Sequence, residues 1–141
     1  MKKLFTLLAL SITFSMNAQM SDNSSGTSAT GTNAVAMGKS TTASGSYSTA
    51  MGRNSTASGN YSTAMGRETT ASGDYSTAMG WNTTASDFGS LVIGQYNLLG
   101  STVTNSAIAF STENTAFVIG NGADADNRSD ALTVLFDGTT T

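Results

Sequence analysis

The sequence predicts an all-β protein: a parallel β-solenoid of 14-residue coils, two short strands to a coil, that associates with copies of itself. Three observations predict it. A glycine returns every seven residues, at Gly31, Gly38, Gly45, Gly52, Gly59, Gly66, Gly73 and Gly80, and again at Gly94 after a miss at Asp87. Each of these glycines follows an alanine by two places, until Val92 takes the slot before Gly94. The full repeat is fourteen residues, "AMGKSTTASGSYST" from Ala36, "AMGRNSTASGNYST" from Ala50 and "AMGRETTASGDYST" from Ala64, drifting in "AMGWNTTASDFGSL" from Ala78.

A period of seven usually points to a coiled coil, but this one lacks apolar residues at two heptad positions. Glycine in every heptad would cost a helix about 1 kcal/mol each time, and Ser and Thr favour caps and strands over helix interiors. Read as strands, whose side chains alternate between faces, the residues sort themselves. The face holding the alanine also holds Ala34, Thr41, Ser48, Ser55, Ser62, Thr69, Ser76 and Thr83 two places before it, and glycine two places after. Only small residues stand there, as a narrow interior between two walls requires.

The opposite face differs between half-repeats. One wall carries Val35 and Met37, then Thr49 and Met51, Thr63 and Met65, Thr77 and Met79, and Leu91 and Ile93. The other carries Thr42/Ser44, Thr56/Ser58, Thr70/Ser72 and Thr84/Ser86. Seven residues make a wall and a corner, and the glycine closes the wall where the chain turns sharply or lets another backbone approach. Coils stacked as parallel strands about 4.8 Å apart bring like residues into columns, methionines in one and Tyr47, Tyr61 and Tyr75 in another. So thin a solenoid buries little apolar area alone, so Val35, Met37, Met51, Met65, Met79, Leu91 and Ile93 are the expected interface between chains. This geometry suits cyclic symmetry without choosing two chains or three.

The flanks follow in order. Residues 1–18 read as a secretory signal peptide: Lys2 and Lys3, an apolar run from Leu4 to Phe14 too short to span a bilayer, and polar residues up to Ala18. Residues 19–25 are expected to be a disordered lead-in, and 26–94 the regular repeats. Residues 95–141 are expected to form irregular last coils and a cap, since a solenoid end must be covered. There Ile108 and Phe110 alternate with Ala107 and Ala109, and Leu132, Val134 and Phe136 predict a terminal strand.

Composition narrows function. The 141-residue chain has no Cys, His or Pro, a net charge of −3 and only 11% charged residues. That removes disulfides, thiolate metal sites and the usual general base, and neither nucleic acid nor an acidic membrane is indicated. No nucleophile elbow is present. "GKS" at Gly38 has the wrong spacing from Gly31 for a phosphate loop. No catalytic residue, metal site or cofactor is expected.

"AVAMG", "STAMG" and "LVIG", alternating with "TTASG" at this period over residues 26 to 120, resemble the head domain of trimeric autotransporter adhesins. The resemblance implies a left-handed parallel β-roll, three chains per molecule, and display outside the cell. Members of that family continue into a neck, a coiled-coil stalk and an anchoring barrel. None is recognisable here, so the chain is read as a fragment or a short secreted relative, with no membrane anchor of its own.

Four surface features invite a binding role. Lys39, Arg53, Arg67 and Trp81 form a column that would meet acidic groups on a matrix protein or glycan, or simply remain a solvated edge. The tyrosines would serve as a ligand platform or as stacking between coils. "GADADNRSD" gathers Asp124, Asp126, Asn127 and Asp130 without calcium-loop spacing, as a polar turn would. The Thr/Ser wall is a regular hydroxyl surface of the kind that could order water. The expected function is a non-enzymatic, exported adhesin-like head, homotrimeric, attaching to matrix, cells or surfaces by multivalent contacts. The competing readings are a structural segment of an extracellular or phage-tail-like fibre, and an ice-binding solenoid.

Overall fold

The computed structural model describes residues 20–21, 25–99 and 106–141, and no helix occurs among them. The signal-peptide reading lies outside the described residues. The strands are β1 (Met20–Ser21), β2 (Ser28–Ala29), β3 (Val35–Lys39), β4 (Thr42–Ala43), β5 (Thr49–Arg53), β6 (Thr56–Ala57), β7 (Thr63–Arg67), β8 (Thr70–Ala71), β9 (Thr77–Trp81), β10 (Thr84–Ala85), β11 (Leu91–Gln95), β12 (Thr115–Asn121) and β13 (Asp130–Leu135). They form an 8-stranded sheet in the order β1-β3-β5-β7-β9-β11-β12-β13 and a 5-stranded sheet in the order β10-β8-β6-β4-β2. Each regular coil thus gives one five-residue strand to the first sheet and one two-residue strand to the second. Successive coils pair in parallel without register slip, Thr49↔Thr63, Ala50↔Ala64 and Met51↔Met65.

The interior is the small-residue face. Ala36, Ala43, Ala50, Ala57, Ala64, Ala71 and Ala78 are all 0% exposed, as are Ser48, Ser55, Ser62 and Thr69 between them. Buried hydroxyls need partners, and several bond inside the column: Thr69 Oγ1 donates to Ser55 Oγ at 2.9 Å, and Ser62 Oγ to the Gly59 carbonyl at 2.6 Å.

Two kinds of glycine close the walls. At Gly52 the φ is +114°, in the region L side chains avoid. At Gly59 the conformation is ordinary, but an added Cβ would lie 2.1 Å from the Gly73 carbonyl oxygen of the next coil. Close approach of stacked backbones alone requires that glycine.

The tightest bends fall two places beyond the glycines. Asn33, Ser40, Tyr47, Asn54, Tyr61, Glu68, Tyr75, Asn82 and Tyr96 all have left-handed φ, between 44° and 60°. Asn tolerates this readily, whereas Tyr and Glu do so at a cost of roughly 1–2 kcal/mol. Two interactions offset it for the tyrosines. The Tyr61 N–H donates to the Ser46 carbonyl at 2.8 Å. Its ring stacks between Tyr47 and Tyr75, with centroids 5.0 and 4.9 Å away and planes within 6° of parallel, each pair contributing about 0.5–1.5 kcal/mol. Tyr61→Val removes both stacks and puts a β-branched residue in the left-handed corner, so it is expected to cost about 2–3 kcal/mol in urea unfolding. Tyr61→Asn loses the stacks but suits the backbone, and should cost roughly 1 kcal/mol less. Equal losses would show that the corner backbone is not the constraint.

The ends depart from the regular pattern. Met20–Ser21, within the expected disordered lead-in, pairs in parallel with Val35–Ala36 as an edge strand. The first regular coil offers an open edge, and these residues satisfy part of it. The alternation at residues 107–110 forms no strand; Ile108 lies in a bend and Phe110 just after it, at 77% and 59% exposure. Beyond that excursion β12 returns to the coil register, Leu91↔Phe117, Ile93↔Ile119 and Gly94↔Gly120. The predicted terminal strand is present as β13, but it runs antiparallel to β12.

Candidate functional site

The outer face of the larger sheet carries three parallel columns, because side chains two apart on a strand share a face. The central column runs Met37, Met51 and Met65 to Met79 in paired register. The pairs Leu91↔Thr77 and Gln95↔Trp81 place Ile93 next in line, and Ile119 and Leu132 continue it. Beside it stand Val35, Thr49, Thr63, Thr77, Leu91, Phe117 and Val134. All seven residues expected at an interface are therefore brought onto one surface. That surface is open in the single chain: Met37 is 40% exposed, Met79 37% and Leu91 37%, the others half-buried by their neighbours along the column. Phe117, Ile119, Leu132 and Val134 extend it beyond the sequence reading. The signal for the first two was in the chain, since "AFVIG" repeats the "LVIG" pattern and Gly120 follows Val118 by two places.

Lys39, Arg53, Arg67 and Trp81 form the third column, in register along the strand ends and followed by Gln95 and Asn121. They occupy the same face as the methionines and border them directly. Arg67 bridges neighbours: Nε lies 3.1 Å from Glu68 Oε1, and the guanidinium carbon is 5.1 Å from the Trp81 ring centroid. Partial desolvation pushes the Glu68 carboxyl up, but the hydrogen bond and charge of Arg67, with hydrogen bonds from Asn82 and Trp81, hold it below its usual value. An exposed pair of this kind contributes little to stability.

The other candidates take simple forms. The tyrosine ladder ends on Phe88, tilted 58° to Tyr75 at 5.2 Å. The tyrosines are about half exposed, but their faces are spent on one another, leaving edges and hydroxyls to solvent. Thr42, Thr56, Thr70 and Thr84 stand in register as one hydroxyl column on the smaller sheet. Asp124 organises a turn: its Oδ1 accepts from the Asp126 N–H at 3.0 Å and the Asn127 N–H at 2.9 Å. The Asn127 amide and these backbone groups hold the Asp124 carboxyl below its usual value. Among the described residues no three acidic, His or Cys side chains gather as a metal site would require.

Two residues that sequence reasoning passed over hold the cap in place. Arg128 donates through Nη1 to the carbonyls of Asn82 at 3.2 Å and Asn97 at 3.1 Å, and packs over the Tyr96 ring at 5.6 Å. Asn97 uses its side-chain amide as a substitute strand: Oδ1 accepts from the Thr84 N–H at 2.8 Å and Nδ2 donates to the Thr84 carbonyl at 3.0 Å. No local pattern marks either residue, because both partners are distant in sequence.

Comparison with known proteins agrees with this architecture. The model of the YadA head domain repeat, which spans two copies, matches the chain four times, over residues 29–55, 43–69, 57–83 and 71–97. Successive matches advance by one coil, in step with the strand register. No curated protein and no solved structure matches the chain.

Proposed function

Residues 29–97 belong to the YadA head repeat family, the heads of trimeric autotransporter adhesins, and from that premise we propose that the protein is an exported, non-enzymatic adhesin-like head that works as a homotrimer. The observation that carries the assembly is the apolar column from Met37 to Leu132, continuous in register and open on the single chain. Contiguous exposed apolar surface of this kind marks an interaction site. Three such faces around a common axis would cover one another and leave the hydroxyl walls in water. Attachment to matrix proteins, cell surfaces or glycans would then use the Lys39–Trp81 column at the rim of each interface and gain strength by repetition across chains. The N-terminal leader pattern supports export to the cell surface or medium. Light scattering on a sizing column is expected to give the mass of three chains, and immobilised matrix proteins or glycans should retain the trimer. A folded monomer would remove the assembly. A trimer that binds none of a broad panel would leave a structural segment of a fibre as the function.

A further inference from the structure

In the regular coils two neighbouring backbone donors share one acceptor. The Ser44 and Gly45 N–H groups donate to the Ala57 carbonyl of the next coil at 2.9 and 3.3 Å, Ser58 and Gly59 to Ala71 at 2.9 and 3.2 Å, and Ser72 and Gly73 to Ala85 at 2.9 and 3.3 Å. Ser86 and Asp87 hold these places in the last coil of the smaller sheet, which stops at β10 while the larger sheet continues. No further strand of that sheet supplies the carbonyl, and among the described residues neither N–H has an acceptor. A backbone donor held away from bulk water without a partner is costly.

A cavity of about 290 Å³ lies where the next strand of the hydroxyl wall would run, and Ser86 lines it. Asp87 is 1% exposed, whereas Ser86 is only half-buried. The Ser86 N–H, which in earlier coils points at the next coil and makes the shorter of the two bonds, is therefore the donor offered to this space. The Asn97 side chain already replaces the rest of the missing strand, taking the Thr84 N–H on Oδ1 at 2.8 Å and donating from Nδ2 to the Thr84 carbonyl at 3.0 Å. A single acceptor position is left, too little for an added peptide strand to pair with. The lining holds two acids, Asp87 and Asp130, and no Lys or Arg, so an anionic acceptor is disfavoured. Part of the wall is apolar, with Leu98, 50% exposed, and Leu135 beside the Thr84 and Thr133 residues.

The site thus calls for a neutral carbonyl that carries a small apolar group. An acetamido group meets both demands, its oxygen on the Ser86 N–H and its methyl against the leucines, and the cavity is at the small end of ligand pockets. We propose that this cavity binds the acetamido group of an N-acetylated amino sugar, with the Ser86 N–H as the anchoring donor. The choice of a sugar as carrier rests on the adhesive reading above and gives it a ligand class. The site itself belongs to a single chain and does not depend on assembly through the methionine face.

The test follows backbone amides of the full chain by NMR. In the free protein the Ser86 amide is expected to exchange with solvent at least a hundredfold faster than the Ser58 and Ser72 amides. Protection equal to theirs would show that the donor already has an acceptor, and would overturn the site. Titration with N-acetylglucosamine should shift the Ser86 amide saturably and slow its exchange. Glucose, the same ring with a hydroxyl in place of the acetamido group, should bind at least tenfold more weakly. Equal affinity for the two sugars, or shifts that rise without saturating, would overturn the proposal. Ser86→Pro deletes the N–H without breaking a hydrogen bond of the native chain and is expected to abolish binding; the sugar comparison uses the native protein and stands even if the variant fails to fold. A folded monomer that binds N-acetylglucosamine would remove the assembly and keep this site, whereas a trimer retained by matrix proteins but not shifted by the sugar would remove this site alone.

Discussion

Met51→Asp combined with Met65→Asp is expected to convert the assembled protein into single chains. On a shared axis each methionine would contribute about 1.5–3 kcal/mol by leaving water, and the variant replaces that with carboxylates facing one another in a dry interface. The loss should reach roughly 4 kcal/mol or more per chain, enough to abolish assembly at concentrations where the parent protein associates fully. Thr56→Asp, on the outer face of the smaller sheet, should leave the mass unchanged. The two are compared by light scattering at matched concentrations, with circular dichroism to verify that the strands persist. If both variants keep the parental mass, the methionine face is not the interface.

Gly59→Ala is expected to be strongly destabilising although the backbone conformation at Gly59 suits alanine. The new Cβ would lie 2.1 Å from the Gly73 oxygen and 2.5 Å from its carbon, both backbone atoms that cannot rotate away. Relief requires the two coils to separate, which strains the adjoining bonds from Ser58 N–H at 2.9 Å and Gly59 N–H at 3.2 Å to the Ala71 carbonyl. Core overpacking typically costs 1–3 kcal/mol, and with rigid backbone on the far side about 3 kcal/mol or more is expected here. Ser58→Ala, one residue away and exposed, should change the urea midpoint very little. Gly138→Ala separates the two roles of glycine: nothing lies within 4 Å of its Cβ position, but its φ is +88°, so a loss of only about 1–2 kcal/mol is expected. A Gly59→Ala protein as stable as the parent would mean that the coils stack more loosely than their register implies.

The repeat region was legible because its constraints are local and recur. Alanine at 0% exposure, glycine against the next backbone and methionine on the outer face each repeat every coil, so one unit interprets the others. The corners were less legible. Tyr47, Tyr61 and Tyr75 were read as a column, but their left-handed backbone was not, since tyrosine has no preference for that conformation and adopts it where stacking and an inter-coil hydrogen bond offset the strain. The alternation at 107–110 falls in the stretch expected to be irregular, and it forms no strand because no neighbouring strand lies beside it to pair.

What the sequence determined by itself is the solenoid, its two unlike walls, the small-residue interior and the membership of the methionine and basic columns. Each follows from side-chain size and polarity at fixed spacing. The tertiary structure alone decided the pairing of Met20–Ser21, the reversed direction of β13, the Asn97 and Arg128 contacts, and the cavity beside Asp87. These depend on which distant segments meet once the coils have stacked. A periodic pattern specifies neighbours one period away, and where the period lapses, packing and hydrogen bonding across the gap determine the partner.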